Sequence, residues 1–336
     1  MINQKIKLVR PGLFLPYFSS ENEATDKVIV KPTVLSICAA DQRYFKGARA
    51  AAVLEAKLPM CLIHEAIGQV VYDPLKNFKV GENVILLPNG GEDDLLSNYG
   101  PNSYFRSSSA DGFTQEFLMM KGQELLPFAS QSPNYYVFTE LLSVCFQAIS
   151  RIPHNCWKHA ASVGIWGDGV VGYLLSLCIK KEYPNLRVTV FGKHEEKLLL
   201  FSHADSVEIL REDYSSIPDI DIAFEAVGGA KAGEAINQII KTIKPCSSIC
   251  LTGVSEFPVP IDTRKLLEKG ISLIGTTRSL KKDFLKAKEF LDNVKDFSMF
   301  DKVISNRFII SSSEDLTQAF YSDQKVPFKT LLHWQI

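Results

Sequence analysis

No Cys-x-x-Cys pair occurs in the chain, although it holds seven cysteines: Cys38, Cys61, Cys145, Cys156, Cys178, Cys246 and Cys250. Thiols that are scattered and odd in number do not form a disulfide framework. They imply free, mostly buried cysteines in a reducing cytoplasm, any of which can be a metal ligand. No apolar run approaches the ~20 residues of a membrane helix. Met1-Ile2-Asn3-Gln4-Lys5-Ile6-Lys7 lacks the apolar stretch of a secretory signal. Charge of one sign is missing too: 37 Lys and Arg face 38 Asp and Glu, for a net −1. Such a balance creates no general field for nucleic acid or a membrane surface, so an anionic substrate must be caught by placed residues. There is no internal repeat and no low-complexity segment. What remains is a 336-residue chain, 46% hydrophobic and 22% charged, ordinary for a soluble globular protein and long enough for about two domains.

The first part, from Lys5 to about Val144, reads as mostly β. Strand-like alternation runs from Lys27 to Cys38, across Pro32, and again at Ala66–Tyr72, Glu82–Leu87 and Phe113–Met119. Many short strands punctuated by Gly and Pro predict a barrel-like domain. The polar loop from Pro88 to Ser109 is long enough to carry function. Tyr135–Ile149 reads as a helix leading out, with Glu140 on it.

From Ser162 the period changes. Ser162-Val163-Gly164-Ile165-Trp166 reads as a buried strand, Gly167-Asp168-Gly169-Val170-Val171-Gly172 fills G-x-G-x-x-G, a helix follows, and Arg187–Phe191 is a second strand. Strand, glycines, helix and strand within about thirty residues form the dinucleotide fingerprint. Gly167 permits the turn, Gly169 admits a pyrophosphate to bare backbone, and Gly172 allows helix and strand to pack closely. The helix N-terminus offers N–H groups to the phosphates. Further strands at Ser206–Leu210, Ile222–Val227, Ser248–Gly253 and Ile271–Gly275 complete a six-stranded, doubly wound parallel sheet, with a helix over Glu234–Ile243. Beyond Arg278 the pattern predicts helices near Lys282–Leu291 and Glu314–Tyr321 and strands near Phe308–Ile310 and Lys329–Trp334.

The end of the second strand bears on which nicotinamide binds. An NAD-selective sheet usually places Asp or Glu there for the ribose 2′-OH. Here Phe191 is followed by Gly192-Lys193-His194. With no acid and a cation beside the gap, the chemistry favours a 2′-phosphate, hence NADP(H), with His194 or Lys197 in support. The alternative has Lys193 and Lys197 solvated and Glu195 or Glu196 reaching the ribose.

Before the glycines stand Cys38, His64-Glu65 and Glu140. His64-Glu65-Ala66-Ile67-Gly68 is not H-E-x-x-H, because Gly68 replaces the second histidine, which argues against a zinc protease. In order along the chain, Cys38-Ala39-Ala40-Asp41, His64-Glu65-x-x-Gly68-x-Val70, Val80-Gly81-Glu82-Asn83-Val84, Asp111-Gly112-Phe113-x-x-Glu116-Phe117, Glu140-Leu141-Leu142-Ser143-Val144 and Gly167 to Gly172 resemble the zinc-containing medium-chain dehydrogenase/reductase family. Within it the chain looks closest to the ribulose-5-phosphate reductases (ribitol-5-phosphate 2-dehydrogenases), through Ser36–Tyr44, Ser103–Ser108, Gly164–Gly169 and Gly253–Val259.

That resemblance implies an α/β protein: a GroES-like catalytic domain over residues 1–149, a Rossmann NADP-binding domain over 150–280, and a segment 281–336 that completes the first. It implies a cofactor cleft between domains and a homodimer through the edge of the Rossmann sheet. Cys38, His64, Glu65 and Glu140 would be the zinc ligands and catalytic residues. Backbone at Val227-Gly228 and Gly253-Val254 would position the nicotinamide. One catalytic zinc per subunit is expected, because Pro88 to Ser109 contains no cysteine and so no structural zinc lobe. The family's hydroxyl–histidine proton relay is replaced by Ala40 and Arg43, leaving water on the metal, held by Glu140, as the expected proton source.

An arginine in a relay position suits a phosphorylated substrate, so Arg43 and Arg106 are the expected phosphate contacts, with Ser107-Ser108 as hydroxyl donors and Lys46 and Arg49 as lesser possibilities. The expected reaction is NADPH-dependent reduction of D-ribulose 5-phosphate to D-ribitol 5-phosphate. It would feed a cytidylyltransferase that makes CDP-ribitol for teichoic acid or capsule. The rivals are an NADP-dependent dehydrogenase of an unphosphorylated polyol or secondary alcohol, and a non-catalytic cofactor-binding member of the family.

Overall fold

A computed structural model describes residues 1–21, 25–91, 98–210 and 219–336. The loop expected over Pro88–Ser109 therefore lies outside the described residues at positions 92–97. The chain divides into two compact units: Met1–Ser143 with Arg278–Ile336, and Val144–Thr277. The sequence placed these divisions at 149/150 and 280/281. Among the described residues, no helix is long and apolar enough to cross a membrane.

The first unit is built on a seven-stranded sheet and a three-stranded one. The sheet's centre is Val28–Ser36, which alternates buried and half-buried residues as a half-buried strand does. It pairs antiparallel with Glu65–Tyr72 and, on its other side, with the C-terminal strand Lys329–Trp334. The last strand of the chain is thus inserted beside one of the first. Pro32, which has no N–H for the ladder, sits at a register shift between Pro32 and Val34, as expected of proline inside a sheet. Ile6, Leu8, Phe14, Leu35, Val70, Phe113, Phe320 and Leu332 lie in one apolar core.

Local structure departs from expectation at three places. Phe113–Met119 forms a strand only over Leu118–Met120, because Gly112, Phe113 and Thr114 donate instead to the carbonyls of Cys61, Ile63 and Leu62. The expected helix Tyr135–Ile149 begins as a 3₁₀ turn, Pro133–Phe138, and becomes α-helical at Thr139–Arg151. Two short helices, Ala39–Phe45 and Ala51–Lys57, interrupt a region that reads as β.

The second unit contains six parallel strands, Ser162–Trp166, Arg187–Gly192, Ser206–Ile209, Ile220–Glu225, Ile243–Leu251 and Ser272–Gly275. Numbered by sequence within the sheet they lie in the order 3-2-1-4-5-6, the doubly wound order with its switch point beside the first strand. Ser162–Trp166 is buried at every residue, as a strand covered on both faces must be. Helix Ala232–Thr242 lays Ala235, Ile236, Ile239 and Ile240 into the core with Trp166 and Phe191, whose rings stack at 4.1 Å.

Asp221 pins the entry of the first strand. Its carboxylate accepts from the N–H groups of Ala161 (2.9 Å) and Ser162 (3.0 Å), and Lys244 Nζ stands at 2.7 Å. Burial opposes ionisation, but Lys244 and these donors outweigh it and hold the carboxyl below its usual range. A depressed native pKa contributes stability above the unfolded value and loses it as pH falls through the native one. Asp221→Asn should therefore cost about 1–3 kcal/mol at neutral pH. It should also flatten the decline in stability between roughly pH 5 and 3, which denaturant titration across that range measures; an unchanged slope would refute the assignment.

Candidate functional site: a buried metal-type cluster and a dinucleotide crevice

In the first unit, sheet register brings distant residues together. Leu331 is opposite Ser36, and Ser36 is opposite Glu65. Three neighbouring strands therefore place Lys329, the segment before Cys38, and Glu65 side by side. Cys38 precedes helix Ala39–Phe45, and His64-Glu65 opens its strand. Potential ligand atoms of Cys38, His64 and Glu65 all lie within 4.8 Å of one another. Glu140, in the first turn of its helix, is also buried and interacts electrostatically with His64 and Glu65. It is not part of that 4.8 Å group.

Two residues not singled out from the sequence hold this cluster in place. Asp41, fully buried, accepts from Cys38 N (3.1 Å), Ile63 N (3.0 Å) and Ser107 Oγ (2.5 Å), and its Oδ1 lies 3.5 Å from His64 Nδ1. A carboxylate behind one imidazole nitrogen is the arrangement that orients metal-ligating histidines. Ile63, a β-branched residue at φ 69°, is held in a conformation such residues avoid. Strain of this kind concentrates where surrounding structure must aim a functional neighbour, here His64. Lys329, buried, gives Nζ to Ile37 O at 2.6 Å and to Glu65 at 2.9 and 2.7 Å.

The donors of the pocket suit a cation. Cys38, Glu65 and Glu140 offer sulfur and carboxylate oxygens beside His64, with Asp41 behind the imidazole and the buried Lys329 on Glu65. Burial alone would lower the His64 pKa, yet Asp41 and Cys38 outweigh it and hold the imidazole well above its ordinary value. Burial, aided by Glu65, pushes Glu140 up to about 7, with His64 opposing. Uncompensated buried anions are costly unless paired or bound to metal, and a thiolate, an imidazole and carboxylates are zinc donors. The residues present fit zinc.

In the second unit, the glycine loop leaves the first strand at the switch point. A Cβ on Gly172 would stand 2.0 Å from Gly167 O, whereas one on Gly169 would meet nothing within 4 Å. Close packing is thus required at Gly172, and open space for a ligand lies over Gly169. Gly169 also caps the 13-residue helix Val170–Glu182. At the end of the second strand, Asp168 Oδ2 accepts from Lys193 N (2.8 Å) and His194 N (2.9 Å) and lies 2.9 Å from His194 Nδ1. These residues line a cavity of about 190 Å³ with Phe191, Val227 and Lys231. Gly192, Lys193 and His194, none of them acidic, directly follow Phe191. On the other side, the buried carboxylate of Glu225 accepts from Val227 N (2.8 Å), Gly228 N (2.7 Å) and Gly253 N (3.2 Å). It joins the two loops expected to carry a nicotinamide, leaving Val227 and Val254 about half-exposed.

The expected phosphate contacts fare differently. Arg43 lies in the last turn of Ala39–Phe45. Arg106 stands 3.7 Å from Glu124, donates to Asp111 O at 3.4 Å, and stacks over Tyr104 and Phe113. Ser107 is engaged by Asp41, and Ser108 accepts from Lys57 at 3.3 Å, so neither hydroxyl is idle. A local signal marked Asp41, since an acid three residues after a helix-capping position reaches back to the cap N–H. Nothing local marked Lys329.

Residues 24–130 match the alcohol dehydrogenase GroES-like domain. The chain is 40% identical over its full length to a ribulose-5-phosphate reductase of Bacillus spizizenii, which it also covers completely. It is 41% identical to ribulose-5-phosphate reductase 1 of Staphylococcus aureus, over 99% of both chains. The structure of S. aureus TarJ in complex with NADPH superposes with a TM-score of 0.88 at 37% identity, covering all of both chains. With a GroES-like domain, a Rossmann sheet and full-length relatedness of this degree, the chain belongs to the ribulose-5-phosphate reductases of the zinc-type alcohol dehydrogenase family.

Proposed function

We propose that this protein reduces D-ribulose 5-phosphate to D-ribitol 5-phosphate with NADPH, using one zinc per subunit. The observation that carries the proposal is the buried Cys38–His64–Glu65 cluster in a chain whose full-length relatives are ribulose-5-phosphate reductases. Zinc would supply a Lewis acid for the C2 carbonyl, and NADPH the hydride. Cys38, His64 and either Glu65 or Glu140 would hold the metal. With Nδ1 turned to Asp41, His64 would ligate through Nε2. Lys329 grips Glu65 and so biases which carboxylate takes the third position.

The ketone takes a hydride at carbon and a proton at oxygen. Ala40 and Arg43 stand where a relay would begin, so the proton would reach the oxygen through water held by Glu140. Gly167 to Gly172 would cradle the pyrophosphate, Lys193 would face the 2′-phosphate, and Val227, Gly228, Gly253 and Val254 would set the nicotinamide. Arg43, in the last turn of helix Ala39–Phe45, and Arg106 would take the substrate phosphate. Arg106 would first have to exchange its contacts with Glu124 and Asp111.

A homodimer through strand Ser272–Gly275 is supported by its single paired edge among the described residues and by exposed Leu273; an edge left open in this way needs cover. We place the reaction in the cytoplasm and its product upstream of a ribitol-5-phosphate cytidylyltransferase. The test is NADPH oxidation with D-ribulose 5-phosphate. Chelator should abolish turnover and zinc restore it, and unphosphorylated ribulose should react at least tenfold more slowly in kcat/KM. Equal rates with both sugars would favour a simple polyol dehydrogenase, and no turnover with either would favour a non-catalytic protein.

A further inference from the structure

We infer that Lys231, from the turn that opens helix Ala232–Thr242, completes the 2′-phosphate subsite together with Lys193, and that Glu234 is the counter-ion the phosphate displaces. The inference rests on the NADPH reading above and extends it to a segment outside the glycine fingerprint and the second strand. Lys193 Nζ lies 3.0 Å from Glu234 Oε1, and Lys231 Nζ lies 3.2 Å from Glu234 Oε2. One carboxylate thus gathers two ammonium groups from chain segments far apart in sequence. All three residues line the same cavity as Gly167, Gly192 and Val227.

The geometry keeps one anion and releases another. Asp168 is largely buried and occupied by the N–H groups of Lys193 and His194 and by the His194 ring. It props the end of the second strand, and Gly192 is bare because a Cβ there would come within 2.7 Å of Asp168 Oδ2. Glu234 is half-exposed, as is Lys193, and Lys231 is more exposed still. Surface pairs of this type are weak, so a phosphate with about two negative charges exchanges for Glu234 at little cost. Before exchange, Glu234 holds both ammonium groups beside the cavity. A ligand ending in a ribose hydroxyl offers no charge to replace it. Discrimination then comes from two cations plus the absent acid after Phe191.

The test uses isothermal titration of the intact protein with adenosine 2′,5′-bisphosphate and with ADP, neither of which undergoes hydride transfer. Wild-type protein should prefer the 2′-phosphate compound. Lys231→Ala should weaken that compound about tenfold and leave ADP within twofold. Glu234→Gln should tighten it about threefold, again with ADP unchanged. If wild type prefers the 2′-phosphate and Lys231→Ala binds it normally, Lys231 is a solvated surface residue and this inference fails while the NADPH reading stands. If wild type shows no preference, the NADPH reading itself fails. Both positions are exposed to solvent, and circular dichroism of each variant checks the fold.

Discussion

Lys329→Met should destabilise the chelator-treated protein by about 3–5 kcal/mol, the usual consequence of leaving a buried partner charge uncompensated. Lys329 is the buried ammonium beside Glu65, and its contacts with Ile37 O and both carboxylate oxygens would all be lost. Glu65 is fully buried, with Glu140 close enough to repel it, so its charge would stand uncompensated in the variant. The pair's pH behaviour follows from the direction of the lysine shift. Burial would lower the Lys329 pKa, but Glu65 and Cys38 outweigh it and raise it above normal. A raised native pKa contributes stability that is complete below the unfolded value and lost only as pH rises through the native one. The deficit of the variant should therefore persist to pH 8, and should be smallest at pH 6, where a protonated Glu140 no longer repels Glu65. Adding Glu65→Gln should recover most of it, because the orphaned charge is then gone. A loss below about 1 kcal/mol, or no recovery in the double variant, would show that Lys329 is not the compensating charge.

The second large effect concerns the metal. Asp41→Asn should lower zinc affinity by about 10–100-fold, the range for a lost carboxylate behind a ligating histidine. Burial opposes ionisation of Asp41, but His64, Ser107 and Cys38 N outweigh it and hold the carboxyl below its ordinary range. It is therefore a full negative charge facing the imidazole. An asparagine keeps the shape but turns an amide donor toward groups that are themselves donors, at a cost of about 1–3 kcal/mol in stability. Competition for zinc against a chromophoric chelator reads the affinity directly, and denaturant unfolding reads the stability. Zinc retained within twofold of wild type would remove Asp41 from the site's design. The two variants act differently: Lys329→Met perturbs the carboxylate, whereas Asp41→Asn perturbs the imidazole and the backbone of Cys38 together.

The Rossmann half of the molecule was readable in detail because its signals are local. A five-residue apolar strand, glycines at fixed offsets and a helix of period 3.6 lie within about thirty residues, and the chemistry of phosphate binding demands that spacing. The strands at Ser162, Arg187 and Ser206 and the final strand Lys329–Trp334 fall where the sequence places them. The first unit was less legible. Helix Ala39–Phe45 is only seven residues long, shorter than periodicity can establish, and the run after Gly112 gives its hydrogen bonds to a loop in place of a strand partner. Arg106 and Ser107 looked like ligand contacts by composition, but in the structure they have internal partners.

By itself, then, the sequence determined that this is a two-part α/β protein with a dinucleotide loop at Gly167 and no acid directly after Phe191, and it pointed to Cys38, His64, Glu65 and Glu140 as candidate metal ligands. Only the tertiary structure decided what surrounds each of them. Lys329 meets Glu65 across 264 residues because the last strand enters the sheet beside Val28–Ser36. Lys231 and Lys193 share Glu234 because parallel strands bring successive βα turns to one end of the sheet. Both pairings are set by strand order, and strand order is decided by how apolar faces are buried across the whole domain, not by any short stretch of chain.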